Sequence, residues 1–508
     1  MATTPGAFIG QNVSAQVVSR SFKRIRLVSR DDFLACYSVV ASFINRPEAA
    51  SSVEECIIDP PRESHYPYTA LNRPPVETLA VDFDDGLHRL MKEYVATLGL
   101  GEEITGEMLE ALDIRKRELL NPPTETPCFD FGHYLGSSNP KYDLTIATLL
   151  ISLCPNITIL RVYEIYSHTL LGQFLLKNNY GKLPKPALQK LKEVQLHPVN
   201  CMDERIYDYI RTLDDIRYFH RLPAINSLSL EGVEDSQAED GLFPARSSPC
   251  IKKIHIGHSD ISGEMIGIII RIPRALEEFS LSTYGLQSPD GGNSLRYPKT
   301  LGKCLLEHRE SLRELDLDAA VSRPHGGKDE HGRDQDERAT YEGGEEERYA
   351  HEINTWYFIQ DMNDSDSAAP LWSEDLADTR EYTALSIGSL HDFKALKRLS
   401  IRIGLLLGYD DVRSYGTPIP SVRYRLVDAL PPNLEYLRLY GYKKGQYPDI
   451  DAHVTELLEQ KAERFPGLGE IEGVDEFLPG VPGRYGPLPD EEDIWERPCD
   501  NLDWVVAR

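Results

Sequence analysis

A short spelling, apolar-x-x-apolar-x-apolar, recurs about eleven times along the 508 residues and constrains this chain more than any other feature. It appears as Val53-Cys56-Ile58, Val76-Leu79-Val81, Ile157-Leu160-Val162, Leu191-Val194-Leu196, Ile225-Leu228-Leu230 and Ile251-Ile254-Ile256. It continues as Leu276-Phe279-Leu281, Leu312-Leu315-Leu317, Leu396-Leu399-Ile401, Leu434-Leu437-Leu439 and, more weakly, Leu468-Ile471. The copies start 23, 81, 34, 34, 26, 25, 36, 84, 38 and 34 residues apart, so only two long gaps interrupt a spacing of 23 to 38. One such stretch could be any half-buried strand, but this many at compatible spacing make a repeat.

Residues two apart share one face of a strand, so the last two apolar positions of each copy are expected to point into a core and their neighbours outward. Parallel strands need a crossover between them. The intervening stretches supply it, with apolar residues at helical spacing in Leu144, Ile146, Leu149, Leu150 and Leu153, and again in Val454, Leu457, Leu458 and Ala462. The fold class expected is α/β, a leucine-rich-repeat-like solenoid of parallel strands with irregular helical crossovers. A conventional α/β sheet stays open as the alternative, because the intervals are uneven and no regular Asn or Cys follows the strands.

The repeats are expected to occupy residues 51–475, between an N-terminal segment 1–50 and a C-terminal tail 476–508. In the first long gap, residues 84–121 read as two amphipathic helices closed by Asn121-Pro122-Pro123, a helical insertion. In the second, residues 322–349 hold almost no apolar side chain and are expected to form a disordered acidic loop.

Lys and Arg number 55 against 81 Asp and Glu, a net charge of −26. Such a chain repels phosphate backbones and anionic lipid, so neither nucleic acid nor a membrane surface is expected as a partner. The first twenty residues lack the basic start and apolar run of a signal peptide, and the longest apolar-rich run, 144–154, is too short to span a bilayer. Eight cysteines, no pair closer than twenty residues, fit reduced thiols better than a disulfide framework or a zinc site. A cytoplasmic or nuclear protein is expected.

Val18-Ser19-Arg20-Ser21-Phe22, Phe43-Ile44-Asn45-Arg46-Pro47-Glu48 and the stretch from Leu430 to Tyr442 resemble fungal F-box and leucine-rich repeat proteins. In that family the first stretch looks like the end of an F-box and the second like the link into the first repeat strand. The resemblance implies a substrate receptor of a cullin-RING ubiquitin ligase, with the F-box on the ligase adaptor and the repeats on a target. The family's opening Leu-Pro pair and Leu-rich helix are absent from the residues before Val18, so a truncated or degenerate F-box is expected.

Motifs for catalysis are missing: no Gly-x-Ser-x-Gly, His-Glu-x-x-His, phosphate loop or Gly-x-Gly-x-x-Gly occurs. His255-x-x-His258 has no third ligand at a recognisable spacing, and neither a metal nor a cofactor is expected. The expected function is a non-catalytic protein-interaction scaffold; an enzyme whose active site is built from loops is the alternative. A protein partner is expected on the concave strand face, where positions three, five and seven of each copy point outward. There Glu314, Asp316 and Asp318 form an acidic stripe, and Arg398, Ser400, Arg402, Tyr436, Arg438 and Tyr440 form a cluster rich in arginine and tyrosine, residue types enriched at binding hot spots.

Overall fold

The computed structural model describes residues 21–59, 84–120, 140–163, 165–197, 199–200, 207–208, 212–233, 246–259, 261, 263–283, 294–295, 298–321, 386–408, 425–480 and 502–507. The fold is α/β, with twelve strands in mostly parallel sheet and twelve helices among these residues. The chain divides into two compact units, Met1–Gln195 with Leu222–Ala224 and Glu496–Arg508, and Leu196–Arg221 with Ile225–Trp495.

The first unit opens with β1 (Phe22–Leu27), α1 (Arg30–Asn45), α2 (Pro47–Ala50) and β2 (Glu55–Ile58). Helices α3 (Asp85–Thr97), α4 (Glu102–Leu120) and α5 (Pro140–Leu153) precede β3 (Ile159–Tyr163), α6 (Leu170–Asn179) and β4 (Glu193–His197), in which the boundary between units falls. The second unit carries β5 (Val199–Asn200), β6 (Tyr207–Asp208), α7 (Thr212–Arg217), β7 (Ser227–Glu231), β8 (Lys253–Gly257), α8 (Gly263–Arg271) and β9 (Glu278–Ser282). It continues through β10 (Ser294–Leu295), α9 (Pro298–Leu306), β11 (Glu314–Asp318), β12 (Ala320–Val321), β13 (Arg398–Arg402) and α10 (Ile403–Leu407). It ends in α11 (Leu426–Ala429), β14 (Tyr436–Tyr440), α12 (Pro448–Arg464) and β15 (Glu470–Glu472), and the last strand, β16 (Val505–Val506), belongs to the first unit.

Ten of the repeat copies coincide with main strands; Val76-Leu79-Val81 lies outside the described residues, as do 322–349. In the second unit the strand order is β7-β8-β9-β11-β13-β14-β15, all parallel, and the fourth motif position is in register throughout. It reads Leu228, Ile254, Phe279, Leu315, Leu399, Leu437 and Ile471 from strand to strand. The sixth position reads Leu230, Ile256, Leu281, Leu317, Ile401 and Leu439, all at most 2% exposed. Burying each such side chain contributes about 1.5–3 kcal/mol, so the two apolar rows are the main adhesive between neighbours.

A backbone regularity accompanies them. The second-position carbonyl of one copy accepts from the second- and third-position amides of the next, as Glu277 does from Arg313 and Glu314, Arg313 from Lys397 and Arg398, and Lys397 from Glu435 and Tyr436. The turn into each strand is thereby tied to its neighbour before the regular ladder begins.

The N-terminal stretch differs from its expected separate role. Phe22, which closes the F-box-like stretch, opens β1, and β1 pairs parallel with β2 by placing Ile25 beside Cys56 and Leu27 beside Ile58. Phe22-x-x-Ile25-x-Leu27 is itself a copy of the repeat, 31 residues ahead of Val53, so the array reaches into the segment 1–50. Of the stretch Phe43 to Glu48, expected as the link into the first repeat strand, Phe43 to Asn45 form the last turn of α1, and Pro47 and Glu48 open α2. Ser29 caps α1 in a capping box with Asp32, each side chain holding the other's backbone amide.

Within residues 84–120 lie α3 and α4. Tyr37 of α1 contacts His88 Nδ1 at 3.1 Å, and Asp113 of α4 holds His88 Nε2 at 3.1 Å and Lys92 Nζ at 2.8 Å, which joins three helices through one polar chain. Residues 473–480 fold back onto the second unit, and 502–507 reach β1 in the first.

Candidate functional site

The outward positions of β11, β13, β14 and β15 form one continuous field in the second unit. The interval of 84 residues from the start of the eighth copy to the start of the ninth does not separate them, because β13 pairs directly with β11: Glu314 lies beside Arg398, and Asp316 beside Ser400. On the other side Arg398 lies beside Tyr436, Ser400 beside Arg438 and Arg402 beside Tyr440, and β15 adds Glu470 and Glu472. The acidic stripe and the Arg/Tyr cluster, separate in the sequence, are therefore a single network.

Its contacts run across the strands. Arg398 stands 3.7 Å from Glu314 and 4.3 Å from the Tyr436 ring centroid, while Arg438 approaches the same ring at 5.6 Å and holds Glu472 at 2.7 Å. Each guanidinium this near an aromatic ring contributes cation–π attraction. The Tyr440 hydroxyl, two positions after Arg438 on β14, donates to Asp316 Oδ2 at 3.4 Å. Arg438 holds the Glu472 carboxyl below its ordinary range, and burial pushes the Tyr436 phenol up to about 12.

Asp316 is the strained member. Burial, with the charges of Asp318 and Glu314 beside it, pushes its carboxyl up to about 6 against the opposing hydrogen bond from Tyr440 and the charge of Arg438. Its Oδ1 is buried with no hydrogen-bond partner among the described residues. An orphaned acceptor of this kind costs about 1–3 kcal/mol.

Not every position that the strand pattern points outward is exposed. Arg402 is 6% exposed, Ser400 8% and Tyr436 5%, whereas Arg398 is open to solvent. Part of the cover is the returning segment after β15. Gly473, with φ +81, turns the chain against the carbonyl of Leu439, Gly441 N–H bonds Leu478 O at 2.8 Å, and Gly480 settles on Asp318, Tyr440 and Arg402. Arg402 reaches Asp318 at 3.5 Å beneath it. Alternation alone cannot show this, because the covering residues are far along the chain and carry no strand pattern.

Farther along the same face the sequence reading missed a second group. Lys253 pairs with Glu278, and His255 lies 2.8 Å from Ser280 Oγ through Nδ1 and 3.4 Å from Glu278 through Nε2. His258 adopts φ 49 and binds Glu231 at 2.7 Å, so the rings of the His255-x-x-His258 pair serve different partners. Position three and five of their copies were the available signal. The first unit carries its own ladder, in which Glu55 holds Arg24 at 2.6 Å and Arg161 at 2.9 Å.

Among the described residues no group of three or more His, Cys, Asp or Glu could hold a metal ion. No helix among them is long and apolar enough to cross a membrane. Compared with known proteins, the chain matches no family model and no curated protein.

Proposed function

We propose that this chain is a non-catalytic protein-interaction scaffold, a leucine-rich-repeat-like solenoid whose second-unit strand face holds a protein partner. The observation that carries this reading is the register across β11, β13 and β14, which gathers Glu314, Arg398, Tyr436, Arg438 and Tyr440 from copies far apart in sequence into one field. Arginine and tyrosine bring large contact area with directional donors, and here their side chains are held by neighbours before any partner arrives, which lowers the entropy lost on binding. In the form that the resemblance to fungal F-box proteins implies, the scaffold is a substrate receptor of a cullin-RING ligase. The cytoplasm or nucleus suits it, since Cys36, Cys56 and Cys154 are buried, unbridged thiols.

Affinity capture with full-length protein from its own organism tests both levels. A partner retained by the wild type and lost by an Arg398→Ala/Glu314→Ala variant supports the face; the ligase adaptor and a cullin in the same eluate support the receptor form. Identical capture by wild type and variant would remove the strand face from the proposal.

One arrangement favours the enzyme alternative, the contact of Ser280 with His255 and of His255 with Glu278. A serine, a base and an orienting carboxylate are the parts of a nucleophilic site. Against it, β8 and β9 are paired with their neighbouring strands along this stretch, so their backbone amides serve the sheet. Labelling of Ser280 by a fluorophosphonate, abolished by His255→Ala, would establish the alternative.

A further inference from the structure

The free edge of β1 is occupied by the chain's own last residues. Val506 and Val505 pair antiparallel with Phe22 and Arg24, and Ala507 N–H donates to Ser21 O at 2.8 Å. Just upstream, Trp504 sets its ring edge-on to Phe22 at 5.2 Å and donates Nε1–H to Asp32 Oδ1 at 3.1 Å. Arg26, 5% exposed, donates to the Leu502 carbonyl at 3.1 Å and faces Asp503 at 3.2 Å. The receiving groups Phe22, Arg26 and Asp32 all come from one short stretch, β1 and the start of α1.

Each contact has a distinct chemical demand. The edge offers main-chain pairing to any extended segment; Phe22 with Asp32 selects an aromatic ring bearing an N–H; Arg26 selects a carboxylate one residue earlier. This is recognition by strand addition with side-chain anchors. A cover that only blunts an edge needs charge, proline or brevity, not a tryptophan with its own acceptor. The attachment is also thin, since the pairing spans two residues whose side chains, Val505 and Val506, are exposed.

We propose that the β1 edge is a strand-addition site for a partner protein that presents an extended acid-tryptophan-apolar-apolar segment, and that residues 502–507 occupy it as an intramolecular competitor. The site lies in the first unit and stands independently of the strand face in the second. Tethering raises the competitor's effective concentration at the site, so the site opens to a partner only when the tail is weakened or outcompeted.

The test uses a full-length Trp504→Ala/Val505→Pro variant and a fluorescent peptide of residues 500–508, read by anisotropy. The variant is expected to bind the peptide at least about tenfold more tightly than the wild type, whose own tail competes. A peptide carrying Trp504→Ala is expected to lose that binding. A variant with unchanged circular dichroism and melting that binds no better than the wild type overturns the proposal, as does equal binding of a scrambled peptide. Should the variant fold poorly, a protease site placed within 481–501 of the otherwise native chain serves instead. After cleavage the tail should exchange for excess labelled peptide, and retention without exchange overturns the proposal. Concentration-dependent dimerisation of the variant with no peptide uptake would assign the edge to a second copy and overturn it as well.

Discussion

The guanidinium of Arg398 lies 4.3 Å from the ring centroid of Tyr436, one strand away and in register with it. Arg398 is open to solvent while Tyr436 is 5% exposed, so the arginine forms the outer surface of the pair and the ring its floor. A partner meeting this face touches Arg398 first.

Arg398→Ala is therefore the variant that separates binding from folding. Its exposed ion pair with Glu314 and its stacking contribute within about 1 kcal/mol to stability. Thermal unfolding close to that of the wild type, together with loss of the captured partner, is expected. Arg402→Ala makes the poorer probe, because Arg402 is buried against Asp318 and its removal leaves that carboxylate under Gly480.

Gly473→Ala is expected to destabilise the second unit. With φ +81 the backbone there suits glycine, and a Cβ would meet the Leu439 carbonyl oxygen at 2.1 Å. A loss of about 1–3 kcal/mol is the expected outcome in urea unfolding, with the returning segment 474–480 made more sensitive to protease.

Asp316→Asn is expected to stabilise the protein at neutral pH. The folded carboxyl titrates at about 6, above the value of about 3.9 in an unfolded chain, so the folded state favours the protonated form. Its contribution is complete below the unfolded value and is lost as pH rises through about 6. Melting temperatures measured from pH 4 to 7.5 should show that decline in the wild type and a smaller one in the variant. Equal slopes would contradict the assignment.

His308→Ala probes the opposite sign. Leu276 N–H donates to Nδ1 at 3.2 Å and Nε2–H donates to Ile270 O at 2.6 Å, so one neutral imidazole joins the end of α8 to the turn before β9. Burial lowers its pKa to about 4, below the ordinary 6.5, and this contribution is present above 6.5 and lost as pH falls through about 4. Removing the ring leaves two buried backbone groups unpaired and costs about 2–4 kcal/mol at pH 7.5. The gap between wild type and variant should narrow at pH 4.5.

The strands were legible because their apolar spelling is local: Leu315 and Leu317 are recognisable without knowing what lies beside them. The copy Phe22-Ile25-Leu27 has the same spelling, yet the likeness of Val18 to Phe22 to an F-box competed for those residues. The outward residues were legible as types, and Tyr440 meets Asp316 through a hydrogen bond with β13 between their strands. Their exposure was not. Whether Arg402 faces water depends on Gly480, 78 residues later, and whether β1 has a bare edge depends on Trp504, nearly the whole chain away. Contacts of that kind are long-range closures with no periodic signature.

The register that seats Leu315 beside Leu399 joins residues 84 apart, although other neighbours are joined across about 25. Loop-closure entropy grows only with the logarithm of length, so the longer connection costs about 1 kcal/mol more than the shorter one. Length between repeats is thus nearly free for this architecture, and new sequence can be acquired between two strands without renegotiating the core. The connection from β11 to β13 is accordingly where a lineage could add a module, or an experimenter a reporter, while every strand keeps its neighbour.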